Sequence, residues 1–379
     1  MSTDPLPLAE ALIRAESVTP AGPEVFDIVE RTLAGAGFAV ERMSFASEGT
    51  TPVENLFATR GSGRHLAFAG HVDVVPPGAV ADWTHPPFSA AIDGDTLYGR
   101  GAQDMKGAVA AMIAAALDWA AADGPGQISF LITGDEEGVA INGTMPLLEW
   151  AAAHTRFDAA IVGEPTARAV LGDTIKIGRR GSLSAAVTVE GKQGHVAYQE
   201  RAENPVPALL AIGTALNLPL DEGSEHFAPT NLEIVSVDVG NPSWNVIPPR
   251  ASLRFNVRFN DHWTFPTLQA ELTRRIEEAA AGARVSIAWE PFLSDCFLTR
   301  DEALVAAVTD AVEQATGVRP EATTGGGTSD ARFIKNYCPV VEFGGVGSTM
   351  HQVDERTSVT ELRTLANAYR AIIAAVLSA

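Results

Sequence analysis

His65-Leu66-Ala67-Phe68-Ala69-Gly70-His71-Val72-Asp73 is the stretch on which the reading of this chain turns. A short apolar run is followed at once by a glycine and then by a histidine and an aspartate. Short apolar runs bounded by turn residues read as buried strands. The arrangement recurs: Gln127–Thr133 (QISFLIT) leads into Gly134-Asp135-Glu136-Glu137-Gly138, and Ala159–Val162 into Gly163-Glu164-Pro165. Val340–Phe343 leads into Gly344-Gly345-Val346-Gly347-Ser348-Thr349-Met350-His351. Buried runs separated by helical stretches, among them Leu6–Arg14 and about Pro23–Ala36 closed by Gly37, predict an α/β fold on a mostly parallel sheet. In open sheets of that kind ligands bind beyond the carboxyl ends of the strands. Each polar cluster falls there.

The middle of the chain has a different rhythm. Leu253, Phe255, Val257 and Phe259 alternate with Arg254, Asn256 and Arg258, as in a strand with one buried face. Further strands are expected at Ser182–Glu190, Asn231–Val239 and Arg284–Trp289, with helices at Pro205–Asn217 and Thr264–Ala281. The resulting order β-α-β-β-α-β is the ferredoxin-like pattern. The expectation is a smaller α+β domain, residues 180–292, inserted into a catalytic domain made of residues 1–179 and 293–379.

Composition narrows the function. The chain carries 27 basic and 47 acidic residues, a net charge of -20, which repels phosphate backbones and anionic lipid. Neither nucleic acid nor membrane is an expected partner, and an anionic substrate would need a local cationic patch. Two cysteines, Cys296 and Cys338, exclude a disulfide scaffold and a cysteine-based zinc cluster. The opening MSTDPLPLAEALIRAES lacks a basic leader followed by an apolar run. The expected location is the cytoplasm.

Taken singly, the polar residues have plain readings: His71 as a core histidine, Glu164 as an ion-pair partner, Glu136-Glu137 as a solvated turn. Asp104, just before an alanine-rich helix, suits the helix dipole. Their joint occurrence at strand exits and a helix start is harder to explain as surface polarity. Nitrogen and oxygen donors without sulfur suit hydrolytic zinc, with cobalt or manganese possible.

In order along the chain stand GHVDVVPPG, WTHPPFSA, LYGRGAQDMKGA, TGDEEG, VGEPT, GRRGSL, GKQGHVAY, NVIP, GGGTSDARF and TMHQVDE. Over nearly its whole length the chain resembles the two-zinc aminoacylase and glutamate carboxypeptidase clan. Within that clan GRRGS, GKQGHVAY and GGTSDARF resemble the desuccinylase branch, with acetylornithine deacetylases and other N-acyl-amino-acid deacylases as the alternative. The resemblance implies two zinc ions per subunit, for which cobalt can substitute, and an anionic N-acyl amino acid as substrate. It implies that Asp104 bridges both metals, that His71 and Glu164 complete one site, and that Glu137 and His351 complete the other. Asp73 would accept the second ring N–H of His71, and Glu136 would be the general base. The Asp104–Met105 peptide is expected to be cis, as in such relatives.

The same resemblance implies a homodimer in which His195, stabilising the oxyanion, and Asn245 act across the interface. Arg179 and Arg258 would bind substrate carboxylates, with Tyr198, Asn245, Gly327 and Thr328 nearby. The clan pattern continues after GHVAY with a proline, whereas Gln199-Glu200-Arg201 follow here. That departure bears on the pocket rim rather than on the metal ligands. A non-catalytic metal-binding carrier would need no base beside its ligands, and Glu136 argues against that class.

Overall fold

The computed structural model describes residues 2–291 and 294–378. The chain forms two compact units: Met1–Ile177 with Thr299–Thr323 and Ser329–Ala379, and Gly178–Leu298 with Thr324–Thr328. The boundary expected between residues 292 and 293 lies outside the described residues.

The larger unit begins with α1 (Leu6–Arg14), α2 (Pro23–Gly35), β1 (Ala39–Phe45), β2 (Val53–Ser62) and β3 (His65–His71). There follow the short β4 (Ala91–Asp93) and β5 (Thr96–Tyr98), then α3 (Lys106–Ala121), β6 (Gly126–Thr133), α4 (Thr144–Ala152), β7 (Ala159–Val162) and β8 (Thr174–Lys176). The smaller unit contains β9 (Gly178–Arg179), β10 (Gly181–Glu190), β11 (Gly194–His195), α5 (Pro205–Leu216) and β12 (Asn231–Asp238). It continues with β13 (Val246–Ile247), β14 (Arg250–Phe259), α6 (Phe265–Ala280), β15 (Arg284–Trp289) and β16 (Phe297–Leu298). The larger unit resumes with α7 (Glu302–Thr316), β17 (Glu321–Thr323), α8 (Ala331–Ile334), β18 (Val340–Glu342), β19 (Arg356–Ser358) and α9 (Val359–Leu377).

The sheet of the larger unit runs β1-β2-β6-β3-β7-β18-β8-β17. Its centre, β6-β3-β7-β18, is parallel, as the apolar runs predict. β1 and β2 are antiparallel additions at one side, and β8 runs antiparallel to β18. α3 is buried from Lys106 to Ala116 on every side. A helix apolar all round belongs inside a protein, and alanine lets it lie close to its neighbours. On α9 the Tyr369 ring meets Phe68 and Phe343 edge-on, and its hydroxyl donates to Phe343 O at 2.7 Å.

In the smaller unit the antiparallel sheet runs β12-β14-β10-β15, the ferredoxin-like order. The alternation read in β14 is the burial seen: Leu253, Phe255, Val257 and Phe259 join a core with Leu209 and Ile212 of α5 and Leu272 of α6. Arg254 stays exposed on the other face. Thr264 and Thr267 cap α6 reciprocally. Among the described residues no helix is long and apolar enough to cross a membrane.

Candidate metal centre

Strand register gathers the polar clusters before any side chain is considered. β3 pairs with β6 so that His71 faces Thr133, and with β7 so that Ala69 faces Val162. Continuing β7 by two residues brings Glu164 level with His71, and Glu136 follows three residues after Thr133. Gly70 and Gly163 matter for what they lack: a Cβ on either would come within 2.5 and 2.7 Å, respectively, of the Met105 methyl carbon. The sheet thus leaves room for the side chain that follows Asp104. The Asp104–Met105 peptide is cis, as the resemblance implied.

Asp104 is the centre of the cluster. Its Oδ1 lies 3.1 Å from His71 Nε2, and its Oδ2 lies 3.3 Å from His351 Nε2. His71 Nε2 is also 3.8 Å from Glu164 Oε1, and His351 Nε2 is 2.8 Å from Glu137 Oε1. One carboxylate therefore faces two donor sets, one oxygen to each. Among the described residues, His71, Asp104 and Glu137 form one group able to hold an ion, and His71, Glu136 and Glu164 another. All of these residues belong to the larger unit.

Burial disfavours charge on these groups, and their neighbours decide the outcome. Burial, then the like charges of Asp104 and Glu136, push the Glu164 carboxyl well up. Burial lifts Glu136 to about 8 against the pull of His71, with Asp330, Glu137 and Asp104 adding to the rise. Burial opposes protonation of His71, but Asp104, Asp73 and Glu164 outweigh it and raise that imidazole well above its usual value. Hydrogen bonds to Asp104 and Glu137 raise His351 to about 10. Asp104 goes the other way: burial lifts it, and the two histidines more than reverse that. Carboxylates that raise one another in this way make a site short of positive charge. Divalent cations would supply it, and the donors present fit zinc, cobalt or manganese.

Asp73 departs from its expected contact. The His71 Nδ1–H donates to the main-chain carbonyl of Asp73 at 2.9 Å, while the Asp73 carboxylate stands 3.6 Å from that nitrogen, too far for a hydrogen bond. The fully buried carboxylate instead accepts from Glu136 N at 3.2 Å and Glu137 N at 3.0 Å. The main-chain carbonyl thus serves the ring, and the side chain is left to accept from the two amides.

The remaining expected residues lie on the smaller unit, in separate groups. Arg179 is buried and donates to Gly327 O at 2.9 Å, next to Thr328. His195, Tyr198 and Asn245 are exposed on neighbouring segments: β11 pairs with β13, Val196 N donates to Asn245 O at 3.1 Å, and the His195 and Tyr198 rings lie 5.7 Å apart. Arg258, on the outer face of β14, is opposite Ser182, and burial with nearby Arg180 lowers its pKa.

Asp330 was missed by sequence reasoning. It is buried, accepts from Thr144 Oγ1 at 2.6 Å and helps to raise Glu136. It stands inside GGGTSDARF, yet a lone acid after a serine carries no periodic sign of burial. Glu355, also buried, falls in TMHQVDE with the same lack of signal.

The open α/β sheet and the donor cluster at its carboxyl edge define a metallohydrolase. Residues 67–375 match Peptidase family M20/M25/M40, and the chain belongs to that family. It is 54% identical to the succinyl-diaminopimelate desuccinylase of Methylorubrum extorquens (strain PA1), over 97% of this chain and 98% of the relative. It is 52% identical to the protein of the same name from Afipia carboxidovorans, with the same coverage. The fold is similar to that of the Bacillus subtilis YXEP protein, described as a dinuclear metal binding peptidase of the M20 family. The TM-score is 0.72 at 20% identity, over 99% of this chain and 98% of the other.

Proposed function

We propose that the chain hydrolyses N-succinyl-LL-2,6-diaminopimelate to succinate and LL-2,6-diaminopimelate, a cytoplasmic step of lysine biosynthesis. The observation that carries this reading is the Asp104 carboxylate facing His71 with one oxygen and His351 with the other. Relatives more than half identical over almost the full length, named for this activity, support the choice of substrate. Two zinc ions, for which cobalt could substitute, would be held by His71 and Glu164 on one side and by Glu137 and His351 on the other, with Asp104 shared between the two sets. When bound, the cations supply Lewis acidity to the attacking water and to the scissile carbonyl.

The protein's own groups do the rest. Glu136 takes the proton of the attacking water and returns it to the leaving amine. Asp73 holds the Glu136–Glu137 main chain, so one carboxylate points to the ligand set and its neighbour to the water. The bond from His71 Nδ1–H to Asp73 O fixes the tautomer that leaves Nε2 as the ligating nitrogen. Arg179 and Arg258 bind the substrate carboxylates, for which guanidinium groups are suited. Tyr198, Asn245, Gly327 and Thr328 complete the binding surface.

We read the smaller unit as the lid and dimerisation domain. Its edge strand β12 exposes Val235 and Val237, and α5 exposes Leu210. An unpaired edge with apolar side chains suits pairing with a second copy. In such a homodimer His195 and Asn245 serve the other subunit, with His195 stabilising the oxyanion. The test compares hydrolysis of N-succinyl-LL-diaminopimelate with that of N-acetylornithine by zinc-loaded protein. Faster turnover of the acetyl compound would displace the proposed substrate.

A further inference from the structure

Arg100 and Glu355 stand 255 residues apart in the chain and form an ion pair, Nη1 to Oε2 2.6 Å, with 2% and 0% of their surfaces exposed. A buried pair is by itself weak evidence of stabilisation, because desolvating both charges offsets much of their attraction. Its further contacts give it a purpose. Glu355 Oε1 accepts from the main-chain N–H of Gln103 at 3.0 Å and of Asp104 at 3.2 Å. Arg100 also donates to Gln352 O at 3.2 Å and to Pro76 O at 3.4 Å. Gln103 Oε1 accepts twice from Thr349, from N at 2.7 Å and from Oγ1 at 2.9 Å.

These bonds join three loops: the one that leaves β3 past His71 and Asp73, the one that carries Asp104, and the one that carries His351. The third loop needs holding. His351 and Asp354 have φ of 63° and 58°, a left-handed conformation that costs a non-glycine residue and persists where surroundings over-determine it. Bonds to Thr349, Gln352 and Glu355 fall before, between and after those two residues.

We infer that Glu355 is a positioning residue for the metal centre. Paired with Arg100, its carboxylate sets the main-chain path into Asp104, and Gln103 with Thr349 carries the same constraint to the His351 loop. The inference rests on the proposed reading of Asp104 and His351 as metal ligands.

Two variants test it. Glu355→Gln keeps the size but puts an NH2 group toward either Arg100 or the two amides. Gln103→Met keeps the length and removes the acceptor for Thr349. For each, zinc affinity is measured by chelator competition, ligand geometry by the visible spectrum of cobalt-loaded protein, and folding by melting of the metal-free protein. Glu355→Gln is expected to weaken zinc binding about 10–100-fold and alter the cobalt spectrum. It should lower kcat by a similar factor, with KM within about twofold. Gln103→Met is expected to weaken one of the two zinc sites more than the other. A folded Glu355→Gln protein with the zinc affinity and cobalt spectrum of the unmodified chain overturns the inference. If Glu355→Gln does not fold, Gln103→Met decides: unchanged zinc retention and spectrum overturn the inference, and a weakened site supports it. An unmodified chain that binds neither zinc nor cobalt overturns the ligand reading first, and this inference with it.

Discussion

Replacing Asp73 by asparagine separates two ways in which that residue could serve the site. The carboxylate accepts from Glu136 N and Glu137 N, while His71 Nδ1–H is held by the main-chain carbonyl of Asp73, which the substitution leaves in place. An asparagine offers one oxygen to the two amides and turns its NH2 toward the other, donor against donor. One hydrogen bond to a charged acceptor is lost, worth about 1.5–3 kcal/mol. Expressed wholly in the placement of Glu136, that energy lowers kcat roughly 10- to 150-fold. Metal should not be lost through His71, whose ring is held by the main-chain carbonyl; any loss of metal would come through Glu137, whose amide the same carboxylate holds. The assay pairs steady-state hydrolysis with elemental analysis of metal per chain. A variant that loses one metal per chain would show that the lost bond acts on the ligand Glu137 and not on Glu136 alone. Normal kcat with full metal would show that the two amides need no such acceptor.

Glu136→Gln should retain metal and lose about 10²–10⁴-fold in kcat, measured with saturating substrate; near-normal turnover removes the general-base assignment. Mixed dimers of His195→Ala and Glu136→Ala subunits should recover part of the activity that each homodimer lacks. Confirmed mixed dimers without recovery count against action across the interface. His65 gives a pH prediction away from the ligands: burial disfavours its charged form and lowers its pKa, against a bond to Arg156 O and the charge of Asp158. The unfolded chain then takes up the proton first, so this contribution to stability is complete above about pH 6.5 and is lost as pH falls below it. Denaturant midpoints of metal-free protein at pH 8 and pH 5.5 should differ less in His65→Gln; an equal difference refutes the argument.

Much of the site was legible because its signals are local. A strand exit is marked by an apolar run and a glycine, and those marks placed His71, Glu136, Glu137 and Glu164 at one sheet edge. The alternation of Leu253, Phe255, Val257 and Phe259 marked a half-buried strand for the same reason, since side chains of a strand alternate faces. β1 has no fully buried residue, and without burial there is no apolar period to see; β2 is buried at Val53 and from Asn55 to Ala58, but the polar Glu54 and Asn55 break its apolar run. An apolar run also carries no strand direction, so the antiparallel flank of the sheet was not visible.

The sequence alone thus determined which donor groups this protein has and that they gather where strands end. Only the tertiary structure decided which atom faces which. The two oxygens of Asp104 find histidines far away on either side in the chain, the Asp73 carboxylate takes main-chain amides in place of a ring, and Arg100 finds Glu355 across the fold. Such pairings depend on how loops meet in space, and neither residue type nor spacing records that.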